Sequence, residues 1–147
     1  MMETLRIKRL RPTAQLPARQ TAGSAGYDLC ADLTEPLTLR PGGIAKVPTG
    51  LAIAIGDPSA VGLVYARSGL AAKHGIAPIN CVGVIDSDYR GELLVPLTNH
   101  GGEAFTIQPG DRIAQLLLAP VFTPTLVEVD ELDDTARGAG GFGSTAI

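Results

Sequence analysis

Short stretches in which apolar residues alternate with small or polar ones recur along the chain. Leu37 and Leu39 flank Thr38, and alanines separate Leu51, Ile53 and Ile55. A period of two puts one set of side chains on one face of a strand. Val82, Val84 and Ile85 face Leu93, Val95 and Leu97 across a turn-rich stretch, which predicts a hairpin. Phe105 and Ile107 lead into Pro109-Gly110, and Leu126, Val127 and Val129 repeat the strand pattern late in the chain. The 18 glycines and 11 prolines fall at short intervals between these runs. That is the punctuation of many short strands. One short helix fits: Ser68 as N-cap, Gly69 to His74 as helix, Gly75 as its stop. The expected fold is all-β, a compact sandwich or jelly-roll-like barrel with one small helix. Residues 1–136 read as a single domain without internal repeat or linker. The segment Arg137–Ile147, with four glycines and no core-forming pattern, reads as a flexible arm.

Composition narrows this picture. A chain of 147 residues fits one domain, and 45% hydrophobic residues suffice for a packed core. Aromatics are only 4% and Trp is absent, so that core is aliphatic and modest, which leaves room for burial in an oligomer. The net charge is −3 with no run of Lys or Arg, which argues against a nucleic-acid partner. A small phosphorylated ligand stays possible. Cys30 and Cys81 have no Cys or His at zinc-ligand spacing and read as ordinary buried thiols. Met1 to Leu10 has no apolar signal region, and the longest apolar run, Leu116 to Val121, is too short for a membrane span. The expectation is a cytoplasmic protein with no membrane partner.

Five segments carry candidate chemistry. In Gly83-Val84-Ile85-Asp86-Ser87-Asp88-Tyr89-Arg90-Gly91-Glu92, a hairpin turn explains Ser87 and Asp88. It explains Asp86 less well, because that carboxylate directly follows an apolar strand, at the edge of the core, where it can act as a general base. In Ala66-Arg67-Ser68-Gly69-Leu70, a helix start, a hydroxyl and a guanidinium fork suit phosphate oxygens, although taken alone the stretch is better explained as a plain N-cap with a solvated Arg. In Arg137-Gly138-Ala139-Gly140-Gly141-Phe142-Gly143-Ser144-Thr145, an aromatic among glycines suits a lid that stacks on a base better than a solvated tail. Ala25-Gly26-Tyr27-Asp28-Leu29 puts a carboxylate after a Gly-led turn. In Gly110-Asp111-Arg112-Ile113-Ala114-Gln115-Leu116, Asp111 and Arg112 read as a buried structural ion pair, and Gln115 is a candidate to face a ligand. No P-loop is present, so a nucleotide would be held by another design. His74 and His100 lie in no candidate tip and read as non-catalytic.

These five segments, in this order and spacing from Ala25 to Thr145, resemble the five motifs of the trimeric dUTPase family. The resemblance implies the β-clip fold and hydrolysis of dUTP to dUMP and pyrophosphate, which limits uracil in DNA and supplies dUMP for thymidylate synthesis. It implies that Asp86 activates water for attack on the α-phosphorus, and that Tyr89 packs under the deoxyribose and excludes a 2′-hydroxyl. Asn80 and the backbone of Gly83, Val84 and Ile85 would read the uracil edge, and a tight hairpin there would leave no room for thymine's methyl. Arg67, Ser68, Gly69 and Gln115 would hold phosphates or metal-bound water. Asp28 would lie near the water shell of a Mg²⁺ ion carried by the triphosphate, which offsets the charge conflict with an acidic chain. Phe142 would stack on uracil, with Arg137, Gly143, Ser144 and Thr145 closing over the phosphates. A homotrimer with C-terminal arm exchange and sites shared among chains would follow.

Two other readings compete. A deoxycytidine-nucleotide deaminase shares the β-clip fold, and ammonia release from dCTP would identify it. A nucleotide sensor would use the same pocket without turnover, although such a binder has no need of a base at Asp86.

Overall fold

The structure, a computed structural model, describes residues 4–141. Ten strands and one helix follow in the order β1 (Arg6–Arg9), β2 (Tyr27–Cys30), β3 (Leu37–Leu39), β4 (Ile44–Ala54), β5 (Ala60–Tyr65), α1 (Ser68–His74), β6 (Ile76–Pro78), β7 (Gly83–Ile85), β8 (Glu92–Asn99), β9 (Phe105–Ile107) and β10 (Arg112–Pro120). Two four-stranded sheets form, ordered β1-β4-β8-β6 and β2-β10-β5-β7, with β3 and β9 as a separate pair. Every ladder is antiparallel. The sheets are open, with edges at β1, β6, β2 and β7, so the layout is a sandwich and the closed barrel is not formed.

The predicted alternation is the core. On β4, Val47, Thr49, Leu51 and Ile53 point inward, and Ile55 continues the row. On β8 the inward row is Leu93, Val95, Leu97 and Asn99. Leu29, Ile113 and Leu116 of the second sheet join them in one aliphatic cluster. Each such side chain contributes about 1.5–3 kcal/mol of burial. Among the described residues the buried polar side-chain groups are all partnered. Thr49 Oγ1 donates to the Leu93 carbonyl at 2.8 Å. Asn99 donates to the carbonyls of Leu39 and Glu103 at 2.9 and 2.7 Å and accepts from the Gly101 N–H at 2.8 Å. That one amide ties β8 to β3 and to the turn before β9.

Several expectations change here. β7 and β8 do not pair: β7 lies against β5, and β8 lies between β4 and β6. The stretch 86–91 is therefore a crossover between sheets. The hairpin reading failed because two apolar runs around a turn look alike whether they pair with each other or with distant strands. Ser68 is the first residue of α1; extended Arg67 is the N-cap and no side chain caps the helix. Gly75 ends it as expected, left-handed at φ 69° with its N–H on the Ala71 carbonyl. Leu126, Val127 and Val129 form no strand and are exposed, since no strand partner meets them among the described residues. Cys30 is half-buried, and Cys81 is exposed and left-handed (φ 62°), so neither is a core thiol. No helix among the described residues is long and apolar enough to cross a membrane.

Candidate active site

Of the sequence-predicted residues, Asp28, Arg67, Ser68, Gly69, Gln115, Val84, Ile85, Asp86 and Tyr89 line two clefts that share no residue. The first, of about 310 Å³, is lined by Asp28, Arg67, Ser68, Gly69 and Gln115 together with Gly26 and the 20–25 loop. Its walls come from β2, β10 and the turn into α1. Gln115 pairs with Asp28 across β10–β2 and with Tyr65 across β10–β5, which brings three distant motifs together. The Asp28 carboxylate accepts from Arg67 Nε at 3.0 Å and from Arg112 Nη1 at 3.4 Å. Gln115 Nε2 donates to the Ala66 carbonyl at 2.9 Å, which steadies the residue before Arg67. Gly26 lies so close to the Gln115 amide oxygen that a Cβ there would collide with it. The cleft's one guanidinium, Arg67, thus shares the Asp28 carboxylate with Arg112, which lies outside the cleft, a layout that receives an anionic ligand without a large excess of charge.

This geometry corrects one reading. Asp111 and Arg112 do not pair. Arg112 is bound to Asp28, and Asp111 Oδ2 accepts the Gln108 N–H at 2.8 Å, closing the turn through Pro109-Gly110. Asp111 sits in the turn before β10, where the Gln108 N–H takes its carboxylate, while Arg112 is on the strand beside β2 and reaches Asp28.

The second cleft, of about 140 Å³, is lined by Val84, Ile85, Asp86, Tyr89, Glu92, Leu93 and Leu94. Asp86 is exposed, not held at the edge of the core, and its carbonyl accepts the Tyr89 N–H at 3.1 Å. Tyr89 Oη donates to the Glu92 carbonyl at 2.9 Å, and its ring covers Gly91 so closely that no side chain fits there. β7 is an edge strand, so one side of its backbone has no strand partner among the described residues and can meet a ligand. Asn80 is exposed beside it, with its amide near Gly83.

The two clefts sit toward opposite ends of β5. Ile85 pairs with Gly62, and Arg67 lies five residues further along. That is on the order of 15 Å at strand spacing.

Arg137 Nε donates to the Gly140 carbonyl at 2.8 Å in a local turn and lines neither cleft. Phe142, Gly143, Ser144 and Thr145 lie outside the described residues. His74 stacks on Phe105 with ring centroids 4.8 Å apart and lines neither cleft.

One cluster escaped sequence reading. Arg11 bridges Asp32 (Nε–Oδ2 2.6 Å) and Glu92, and Glu92 borders the Asp86 cleft. The hydrogen bond from Arg11 holds the Glu92 carboxyl below its usual range. Burial pushes Asp32 up, but hydrogen bonds from Thr13 and Arg11 outweigh it and hold it low. No spacing rule could find three charges so far apart in the chain.

Among the described residues no three His, Cys, Asp or Glu side chains form a metal-holding group. Asp28, Ser68 and Gln115 offer hard oxygens at the first cleft, yet Asp28 is already spanned by two guanidiniums. This set fits a divalent cation carried by phosphate oxygens and reached through water, and does not fit a protein cage.

Comparison with known proteins places the chain in a family. The dUTPase family model matches residues 13–146. The chain is 49% identical over 150 residues to the deoxyuridine 5′-triphosphate nucleotidohydrolase of Desulfitobacterium hafniense, covering 99% of each chain. It is 54% identical over 138 residues to that of Hahella chejuensis, covering 94% of this chain and 91% of the other. Among solved structures, a mutant dUTPase of Staphylococcus bacteriophage 80alpha with dUpNHpp superposes at TM-score 0.89 and 29% identity over 99% of each chain. A mutant dUTPase of phage phi11 of S. aureus, described with a structural Mg(II) ion, superposes at TM-score 0.79 and 29% identity, covering 88% of this chain and 98% of that one. With both clefts inside the matched span, the chain belongs to the dUTPase family.

Proposed function

We propose that the chain performs the family's reaction, hydrolysis of dUTP to dUMP and pyrophosphate, with Asp86 as the base. Water attacks the α-phosphorus, its proton passes to the Asp86 carboxylate, and the bond to the β-phosphate oxygen breaks to release pyrophosphate. Tyr89 lies under the deoxyribose, and Asn80 with the edge backbone of Gly83, Val84 and Ile85 pairs with uracil. Cytosine would leave those groups unpaired. Arg67, Ser68, Gly69 and Gln115 hold phosphates, and Asp28 orients Arg67 and touches the water shell of a Mg²⁺ ion. The ion neutralises charge on the phosphates. Phe142 stacks on the base, and Arg137, Gly143, Ser144 and Thr145 close over the phosphates, as a 137–147 arm on a 1–136 catalytic domain.

The observation that carries this reading is the position of Asp86: an exposed carboxylate directly after an edge strand with one side free of strand partners among the described residues, beside Tyr89, in a chain of this family. The division into two clefts supports a further part of it. The phosphate-holding residues and the base of one chain stand at opposite ends of β5, too far apart to meet neighbouring phosphates of one ligand easily. A homotrimer in which one chain supplies Asp86, a second the Arg67 cleft and a third the arm resolves this. Phe122, Leu126, Val127, Val129 and Leu132 are all exposed in the single chain, which also favours a neighbour to cover them.

The test is pyrophosphate release with Mg²⁺ from dUTP, dTTP, dCTP and UTP. Release from dUTP far faster than from the others is expected. Equal activity on UTP would remove the role given to Tyr89, and ammonia from dCTP would make the chain a deaminase.

A further inference from the structure

Glu92 opens β8 directly after the 86–91 crossover, and its two ends are fastened to different things. Its carboxylate accepts the Gly50 N–H at 2.8 Å and both terminal nitrogens of Arg11. Arg11 Nε holds Asp32, whose side chain is 4% exposed, and Leu10 donates its N–H to the Gly50 carbonyl at 2.7 Å. Gly50 is left-handed at φ 68°, and a Cβ there would strike the Asp32 carboxylate and approach the Ala14 methyl to 2.6 Å. All this falls where the β4–β8 register shifts between Pro48 and Ala52. The Glu92 carboxylate takes up a backbone donor in that irregular stretch of β4.

The main chain of Glu92 faces the other way. Its carbonyl accepts the Tyr89 hydroxyl at 2.9 Å, and the residue lines the cleft of Asp86 and Tyr89. Stability alone does not account for three partly buried charges, since apolar packing of equal volume often serves a fold as well. The cluster joins residues 10–11, 32 and 50 to Glu92, the first residue after the crossover, at the point where the crossover's own tyrosine is anchored.

We propose that Glu92 is a positioning residue for the reaction, clamped by Arg11 and the Gly50 N–H so that the 86–91 crossover holds Tyr89 and Asp86 in place. This rests on the reading of Asp86 as the base. Asp32 acts one step further out, by orienting Arg11. Glu92 is ionised at neutral pH, and the hydrogen bond from Arg11 extends that ionised state to lower pH, so the clamp is closed at neutral pH.

The experiment uses the full chain with Mg²⁺ and compares Glu92→Gln, Arg11→Met, the double variant and Arg11→Lys. kcat and KM are measured for dUTP and UTP, with melting temperature and dUpNHpp binding alongside. Glu92→Gln keeps the shape and an oxygen for Gly50 but loses the charge on Arg11. Each single variant is expected to lower kcat on dUTP about tenfold, because small misplacement of a reacting group is costly. KM and dUpNHpp affinity should stay within about threefold, because the clamp acts through positioned groups and does not touch phosphate. The ratio of UTP to dUTP turnover should rise, since Tyr89 is anchored on Glu92. The double variant should lose no more than either single one, and Arg11→Lys should recover part of the loss. Wild-type kcat and UTP discrimination in folded Glu92→Gln and Arg11→Met would overturn the proposal, as would losses that multiply in the double variant. Asp86→Asn is run in parallel. If it is active, the reading of the base fails; if it is dead while Glu92→Gln matches wild type, the positioning inference fails alone.

Discussion

The two clefts are built on opposite principles. Around Asp28 the charges are paired with one another, with Arg67 and Arg112 sharing one carboxylate and the Gln115 amide on a carbonyl. Around Asp86, by contrast, the carboxylate is exposed and makes no salt bridge among the described residues, while the charges that order the loop are set back at Arg11, Asp32 and Glu92. The first arrangement suits holding a charged ligand still. The second suits leaving a base reachable by water while fixing what surrounds it. On the proposed reading, the difference teaches that a cleft that binds and a cleft that reacts need pairing in different places, and that one chain can keep the two apart.

The largest expected effect separates them most sharply. Asp86→Asn should lower turnover of dUTP by roughly 10²–10⁴-fold, the scale of a general base, while dUpNHpp still binds. Loss of binding instead would mean that Asp86 belongs with the ligand-holding groups. Two glycine substitutions give smaller and opposite signatures. Gly91→Ala should push Tyr89 off its seat and raise UTP turnover relative to dUTP; Gly26→Ala should displace Gln115 and raise KM for dUTP on the order of tenfold without changing that ratio. Identical signatures from both would erase the distinction between the clefts.

The smallest effect is on stability. Glu92 and Asp32 are held below their ordinary values of 4.5 and 3.8, so their contribution is complete above that range and lost as pH falls through it. Wild type should therefore lose melting temperature faster than Arg11→Met below about pH 5, by on the order of 2–4 °C, because Arg11 is partly exposed and solvent weakens its hold. Parallel melting curves for the two would show that the pairing adds no acid-sensitive stability.

Legibility followed the range of the interactions. Leu51, Ile53 and Ile55 could be read as a strand because alternation is local, and Gly75 could be read as a helix stop because a left-handed residue is needed at that spot. The partners of β7 and β8 could not be read, since each pairs with a strand elsewhere in the chain. Arg112 was assigned to Asp111, next to it, and belongs to Asp28, which only the β10–β2 ladder brings near. The Arg11–Asp32–Glu92 cluster left no trace in any spacing. Leu126 to Val129 carry a strand's pattern without a strand, because no strand partner meets them among the described residues.

The division of labour between the clefts is tested most directly by mixing two dead variants, Asp86→Asn and Arg67→Met, co-expressed so that their chains exchange. If each site takes its base from one chain and its phosphate-holding residues from another, every mixed trimer regains one site in three. Random equal mixing should then restore about one quarter of wild-type activity, a consequence of cyclic symmetry. Verified mixed assemblies that stay inactive would contradict the account and return both clefts to a single chain's site.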